Sequence, residues 1–199
     1  EENQYFECCL KFYKRKTYER VRKFLSKYPN LKTIRKINSQ EVIPLDNLLK
    51  MIDWDNLCSG MIGRFHGDFH FENIIWNQRK KKFVFLDWRQ DFGGKIEYGD
   101  IYYDLAKLKH GMIVQHEFMI NNKFEIRIDN NQLSFNFIRN FNHIECEKLF
   151  TKWVIKNSYS LKKVNILTAL IYLNIAPLHH HNYDMLLYSL GHYLLNNEL

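Results

Sequence analysis

Apolar positions recur at helical spacing along most of the chain and alternate with polar ones in one region. Tyr5, Cys8, Cys9 and Phe12 fall at i, i+3, i+4 and i+7, one stripe of an amphipathic helix. Tyr18, Val21, Phe24, Leu25 and Tyr28 continue the period in a second helix, with basic residues on its other side, and Pro29-Asn30 stops it. A polar link is expected around Asn38–Gln40. Leu45, Leu48, Leu49 and Ile52 then mark a third helix starting at Pro44, where a missing N–H costs nothing. The first 60 residues read as mostly helical, with no convincing strand pair. Asn77–Lys82 reads as a polar turn before a short apolar strand, Phe83–Leu86, and Gly93, Gly94 and Gly99 mark residues 88–99 as a mobile loop. Asp100–Leu108 resumes the helical pattern. Phe124, Ile126 and Ile128, then Leu133, Phe135 and Phe137, alternate with polar residues around Asp129-Asn130-Asn131, which predicts a β-hairpin. Three helices, at about 143–157, 160–176 and 183–196, complete the pattern. The fold class expected is α+β, mostly helical.

Size and composition add limits. A chain of 199 residues fits one domain or one lobe of a larger protein, and 46% hydrophobic with 16% aromatic residues argues for a packed core. The most apolar run, Val164–Ile175, is interrupted by Asn165, Thr168 and Asn174, so no membrane span is expected. The polar start, Glu1-Glu2-Asn3-Gln4, reads as no secretory leader. Cys8, Cys9, Cys58 and Cys146 form no metal-binding spacing and read as reduced thiols of a cytoplasmic protein. The net charge of +7 is concentrated between Lys11 and Lys36, where eleven Lys and Arg residues face one acid, Glu19. A solvated helix face is the expected role of that segment. Nucleic acid is not an expected partner, because the aromatic interleaving of single-strand binders is missing.

The candidate chemistry lies between positions 64 and 104. His66-Gly67-Asp68 is followed by Asn73 and the apolar pair Ile74-Ile75, and the run Phe83-Val84-Phe85-Leu86 ends in Asp87. Phosphoryl transfer from a metal-bound nucleotide needs such parts: a carboxylate that orients the acceptor, an amide that ligates a metal, and a second, metal-holding carboxylate. Asp68 suits the first role as catalytic base, and Asn73 and Asp87 suit the magnesium and nucleotide roles, since magnesium prefers hard oxygen ligands. Gly67 permits a tight turn before Asp68, and His66 braces the loop. His70 is a candidate acceptor contact or a hydrogen-bonded loop histidine. Arg89 is a candidate phosphate clamp or a structural ion-pair partner. His179-His180-His181 does not read as a metal site, because consecutive side chains diverge.

Three ordered motifs over about 45 residues carry a resemblance. They are His66-Gly-Asp-Phe-His-Phe-Glu-Asn73-Ile-Ile, Phe85-Leu-Asp87-Trp, and Tyr98-Gly-Asp100-Ile-Tyr-Tyr-Asp104-Leu-Ala-Lys-Leu108. Together they resemble the aminoglycoside phosphotransferase and choline kinase family. That resemblance implies a protein-kinase-like fold with short β-hairpins around the catalytic loop. It also implies transfer of the γ-phosphate of ATP, with Mg2+, to a hydroxyl of a small molecule. It gives Asp68 the role of base and Asn73 and Asp87 the metal-ligand roles. Asp104 matches a helix aspartate that ties down the catalytic loop, and Asp100 shapes the same region. The run from Asp87 to Gly93, with Tyr98–Leu108 and Leu173–His179, is similar to phosphotransferase-like proteins linked to bacterial surface-polysaccharide synthesis, which implies a sugar acceptor.

One departure stands out. A kinase-like enzyme needs a glycine-rich phosphate loop and a strand lysine, yet no glycine precedes position 60 and no such strand is present. The expectation is a single C-terminal lobe over residues 1–199, helical over 1–60. Catalytic and metal-binding loops would occupy 61–110, and a hairpin plus a helical substrate subdomain 111–199. The N-terminal ATP lobe would lie upstream in a longer polypeptide of which this chain is a fragment, and the missing initial Met points the same way. The alternative is a catalytically inactive, kinase-like binding module. Carboxylates are sparse from Gly111 onward, which favours a sugar or an amino alcohol over a polycationic aminoglycoside.

Overall fold

The two amphipathic stripes expected at the N-terminus belong to one uninterrupted helical segment. In the computed structural model, which describes residues 2–115, 117, 121 and 123–199, α1 (Glu2–Cys9) passes through six π-helical residues, Leu10–Arg15, into α2 (Lys16–Lys27). A regular helix would carry the stripe of Tyr5, Cys8 and Phe12 on to Lys16 and Glu19, whereas Thr17, Val21 and Phe24 are buried. Stripes one residue out of phase read as two helices. The wider π turns absorb the extra residue and keep both stripes on the core side.

A second correction concerns residues 36–41, which include the polar link expected around Asn38–Gln40 and lie in a stretch expected to hold no convincing strand pair. They form a hairpin of β1 (Lys36–Ile37) and β2 (Gln40–Glu41), turned by Asn38 and Ser39 with φ of 49° and 66°. Positive φ at both turn residues matches the right-handed twist of the flanking strands. Two-residue strands carry no alternation, so the periodicity could not reveal them. Next come α3 (Leu45–Met51), directly after Pro44, and α4 (Trp54–Cys58), capped by Asp53, which accepts the Asn56 N–H at 3.0 Å.

The middle of the chain holds β3 (Ile62–Gly63), β4 (Ile74–Asn77), β5 (Lys82–Phe85), β6 (Gly99–Asp100) and α5 (Ile101–Ile113). β3 pairs with β6, while β4 and β5 form a two-stranded sheet of their own among the described residues. Segment 88–99, expected as a mobile loop, is pinned at its centre. Phe92 is wholly buried among the rings of Tyr5, Phe12 and Phe65.

The expected second hairpin is β7 (Phe124–Asp129) and β8 (Gln132–Phe137), and β8 also pairs in parallel with β1. The last helices, α6 (Phe141–Lys156), α7 (Leu161–Ile175) and α8 (Tyr183–Glu198), match the sequence pattern within two residues at every end. α7 is the centre of the core, packed by α2, α5, α6 and α8. The span Leu161–Leu178, with mean hydropathy 1.2, is long and apolar enough to cross a membrane by length and composition. Burial of 56% of it inside the fold accounts for that hydrophobicity through packing. All four cysteines are free thiols, with Cys8, Cys9 and Cys58 buried.

The α7–α8 contact depends on Gly191. A Cβ there would lie 2.8 Å from Leu173 Cγ, 2.9 Å from the Ala169 carbonyl oxygen and 3.0 Å from the Leu173 nitrogen. Gly191→Ala would add helix propensity of about 1 kcal/mol. Two of the three neighbours are backbone atoms and yield little, so overpacking wins. The variant should lose about 1–3 kcal/mol in urea denaturation, and an equal or higher midpoint would contradict this packing.

Candidate functional site

The loop that carries Asp68 is held from behind by the start of α5. Asp100 caps that helix: its Oδ1 accepts the backbone N–H groups of Tyr102 and Met61, each at 3.0 Å, and its Oδ2 accepts the Tyr13 hydroxyl at 2.8 Å. Burial raises the Asp100 carboxyl, and those donors offset part of the rise. One turn later, Asp104 accepts the N–H of His66 on Oδ2 at 2.6 Å and that of Gly67 on Oδ1 at 2.7 Å. Burial raises this carboxyl too, again partly offset by the two N–H groups. The expected supporting residues His66, Gly67, Asp100 and Asp104 thus form one connected assembly.

Gly67 adopts φ +80°, a left-handed conformation suited to glycine, and a Cβ there would lie 2.4 Å from Arg89 Cβ. His66 Nδ1 accepts the Asp68 N–H at 3.2 Å, which puts the ring proton on Nε2. The chain then returns along Asp68, whose backbone carbonyl accepts Asn73 Nδ2 at 2.9 Å. Asn73 Nδ2 also lies 3.4 Å from Asp68 Oδ2 and 3.3 Å from His70 Nε2. The Leu86 N–H donates to the Asn73 carbonyl at 2.9 Å, so Asp87 follows one residue after a direct tie to Asn73.

Asp68, Asn73 and His70 therefore meet, with Asp87 next to them along the backbone. Asn73 Oδ1 accepts no hydrogen bond from a described residue, and the exposed Asp87 carboxylate, at φ 55°, has no partner among them. Both are oxygen donors of the kind a hard divalent cation takes. No group of three His, Cys, Asp or Glu residues suited to a metal occurs among the described residues. A magnesium site completed by phosphate oxygens and waters does not require one. Arg89 takes a different course. Its N–H donates to the His66 carbonyl at 2.8 Å, its Nε to the Asp91 carbonyl at 3.2 Å, and its guanidinium lies 4.8 Å from the Phe12 ring centre.

Lys107 stands inside the Tyr98–Leu108 motif but has no role assigned to it from the sequence. Its Nζ lies 2.6 Å from Asp68 Oδ1, and its side chain is only 9% exposed against 37% for Asp68. Burial alone would raise the Asp68 carboxyl. The hydrogen bond from His70 and the Lys107 ammonium outweigh it and hold the group well below the usual carboxylate range. The signal was available, because Lys107 lies three residues after Asp104 and so shares its helix face.

Beside this cluster is a cavity of about 510 Å3. Asp68, His70 and Phe71 form its loop wall, and Lys107, His110 and Gly111 its α5 wall. His143, His179 and Tyr183 also line it, together with the carboxylates of Glu72 and Glu117. Burial pushes the His110 imidazole well below its ordinary value, with the nearby Lys107 and His70 charges adding to the effect, and its buried Nδ1 has no partner among the described residues.

Searches of curated proteins and of solved structures returned no match. A sequence model of the phosphotransferase enzyme family, APH, matches residues 19–123, just over half of the chain. The matched stretch starts in α2 and contains the whole Asp68 loop, the β4–β5 hairpin and α5. A match of that extent, over the segment in which this loop is locked to its helix, settles the relationship: the chain belongs to the phosphotransferase enzyme family.

Proposed function

We propose that this chain transfers the γ-phosphoryl group of ATP to a hydroxyl of a small molecule, a sugar or an amino alcohol, in surface-polysaccharide synthesis. Its helical body would be the C-terminal lobe of a protein-kinase-like fold. One observation carries the reading: the Asp68 carboxylate opens on the cavity while its loop is locked from behind by Asp104. A rigid carboxylate at a cavity wall can orient an entering hydroxyl and take its proton. The hydroxyl oxygen bonds to the γ-phosphorus as the bond from that phosphorus to the β–γ bridging oxygen breaks. The proton passes to Asp68, and ADP leaves with the electron pair. Asn73 Oδ1 and the Asp87 carboxylate would hold magnesium, which supplies positive charge to the phosphate oxygens. The rings of Phe71 and Tyr183 suit stacking on a sugar ring, and Asp68, Glu72, Glu117 and Asn140 supply hydrogen-bond acceptors for hydroxyls or for the ammonium of an amino alcohol.

The test is transfer of labelled γ-phosphate to a panel of sugars and amino alcohols with magnesium, and its loss on chelation. One observation favours a second reading, a binding module without turnover: Lys107 neutralises Asp68, which weakens it as a base. No transfer to any acceptor would favour that module. Asp87→Ala is expected to weaken magnesium-dependent nucleotide binding by about tenfold or more, measured by calorimetry with and without the metal. Unchanged binding would remove Asp87 from the metal site.

A further inference from the structure

We infer that Lys107 is a catalytic residue that contacts the phosphoryl group in flight, resting on Asp68 only while the site is empty. The inference rests on the phosphotransferase reading above and adds to it a residue from α5, outside the loop and the metal-binding positions. Three observations support it.

The first is geometric. A hydroxyl held by Asp68 places its oxygen about 3 Å from the carboxylate, so the phosphoryl oxygens gathered on that hydroxyl lie roughly 4–5 Å from Asp68. Lys107 Nζ is already 2.6 Å from Asp68 Oδ1 and lines the same cavity, so a small swing of a four-carbon side chain reaches them.

The second is incomplete satisfaction. An ammonium has three N–H donors, and Asp68 is the only acceptor Lys107 meets among the described residues. Burying an ammonium is costly, and a single, half-exposed partner is poor compensation for a purely structural role. Unspent donors on a buried cation at a cavity wall point to an anionic ligand.

The third is the charge around it. Burial first, then Arg89, Arg20 and Lys107, bring the Lys16 ammonium down to about 7. Lys16 Nζ lies 4.2 Å from the centre of the Phe12 ring, which also carries Arg89 at 4.8 Å. Arg89, Arg20 and Lys107 outweigh Asp91 around Lys16, so this flank of Lys107 is cationic, while the cavity wall also carries Glu72 and Glu117.

The exchange follows the chemistry. As Asp68 takes the hydroxyl proton its negative charge disappears, and with it the main hold on Lys107. At the same time charge spreads over the three equatorial oxygens of the phosphoryl group. Lys107 moves with the charge, from a carboxylate becoming neutral to oxygens that need a cation.

The experiment compares the wild-type chain with Lys107→Met, Lys107→Arg and Asp68→Asn, after melting curves confirm folding. Inorganic phosphate is the calorimetric probe, and turnover is measured in parallel on the best acceptor. Lys107→Met should weaken phosphate binding by about tenfold or more, and Lys107→Arg should retain it. Asp68→Asn should tighten it severalfold, because the competing carboxylate charge is gone. A lysine that merely braces Asp68 would leave phosphate binding unmoved in Lys107→Met. Turnover should fall about 100-fold in Lys107→Met through kcat, with little change in acceptor KM. Wild-type protein without measurable phosphate affinity, or Lys107→Met with wild-type affinity, overturns the inference. The phosphate arm needs no turnover, so it decides on Lys107 even if no acceptor is phosphorylated. Transfer activity with a flat phosphate arm would sink the inference and leave the phosphotransferase reading standing.

Discussion

Asp68→Asn is expected to lower phosphoryl transfer by about 10³-fold, in the range lost when a positioned general base is removed. Asparagine has nearly the same shape and preserves the backbone carbonyl that receives Asn73 Nδ2 at 2.9 Å. It can still orient a hydroxyl but cannot take its proton. The substitution also removes the anion facing Lys107, whose side chain is 9% exposed, so stability should fall slightly, by about 1 kcal/mol. Initial-rate kinetics with a melting curve separates the two effects. Turnover above roughly a tenth of wild type would take Asp68 out of the chemistry.

Asp104→Ala should have the largest effect on stability within the loop region. It deletes the acceptors of two short, charge-assisted hydrogen bonds, from His66 at 2.6 Å and Gly67 at 2.7 Å, and leaves both N–H groups without a protein partner. A loss of about 2–4 kcal/mol is expected in urea denaturation, with Asp104→Asn intermediate because the amide keeps one acceptor. Hydrogen exchange gives a local check: the His66 and Gly67 amides should lose protection before the core amides of α7 do. Turnover should fall with the stability, because a released loop no longer fixes Asp68. Protected His66 and Gly67 amides in the alanine variant would show that the loop is held by something else.

How much was legible in the sequence differs between elements for physical reasons. The C-terminal helices and the β7–β8 hairpin were readable because each is long enough to complete several periods. The β1–β2 hairpin was not, since its two-residue strands leave only the turn as a signal, and Asn38-Ser39 is a weak one. The phase slip between Phe12 and Thr17 hid the continuity of α1 and α2, because periodicity assumes a constant turn. In the site, the spacing from Asp68 to Asn73 was informative because a tight loop folds the amide back onto the carbonyl five residues earlier. Lys107 carries no motif signal of its own, although Asp104 fixes which helix face it shares. The course of Arg89 could not be read at all. It depends on a cation–ring contact with Phe12, 77 positions away in the N-terminal helical segment.

α5 ties these pieces together, and that limits how such a chain can vary. Asp100, Asp104 and Lys107 keep their registers with Met61, the His66–Gly67 amides and Asp68 through the pitch of one helix. Gain or loss of a single residue between Asp100 and Lys107 would rotate everything beyond it by about 100° and detach the later contacts from the loop. The β7–β8 turn, exposed and distant from those contacts, has no comparable restriction. Length variation in this lineage should therefore gather in its hairpin tips and avoid the first two turns of α5, whatever acceptor each protein has come to use.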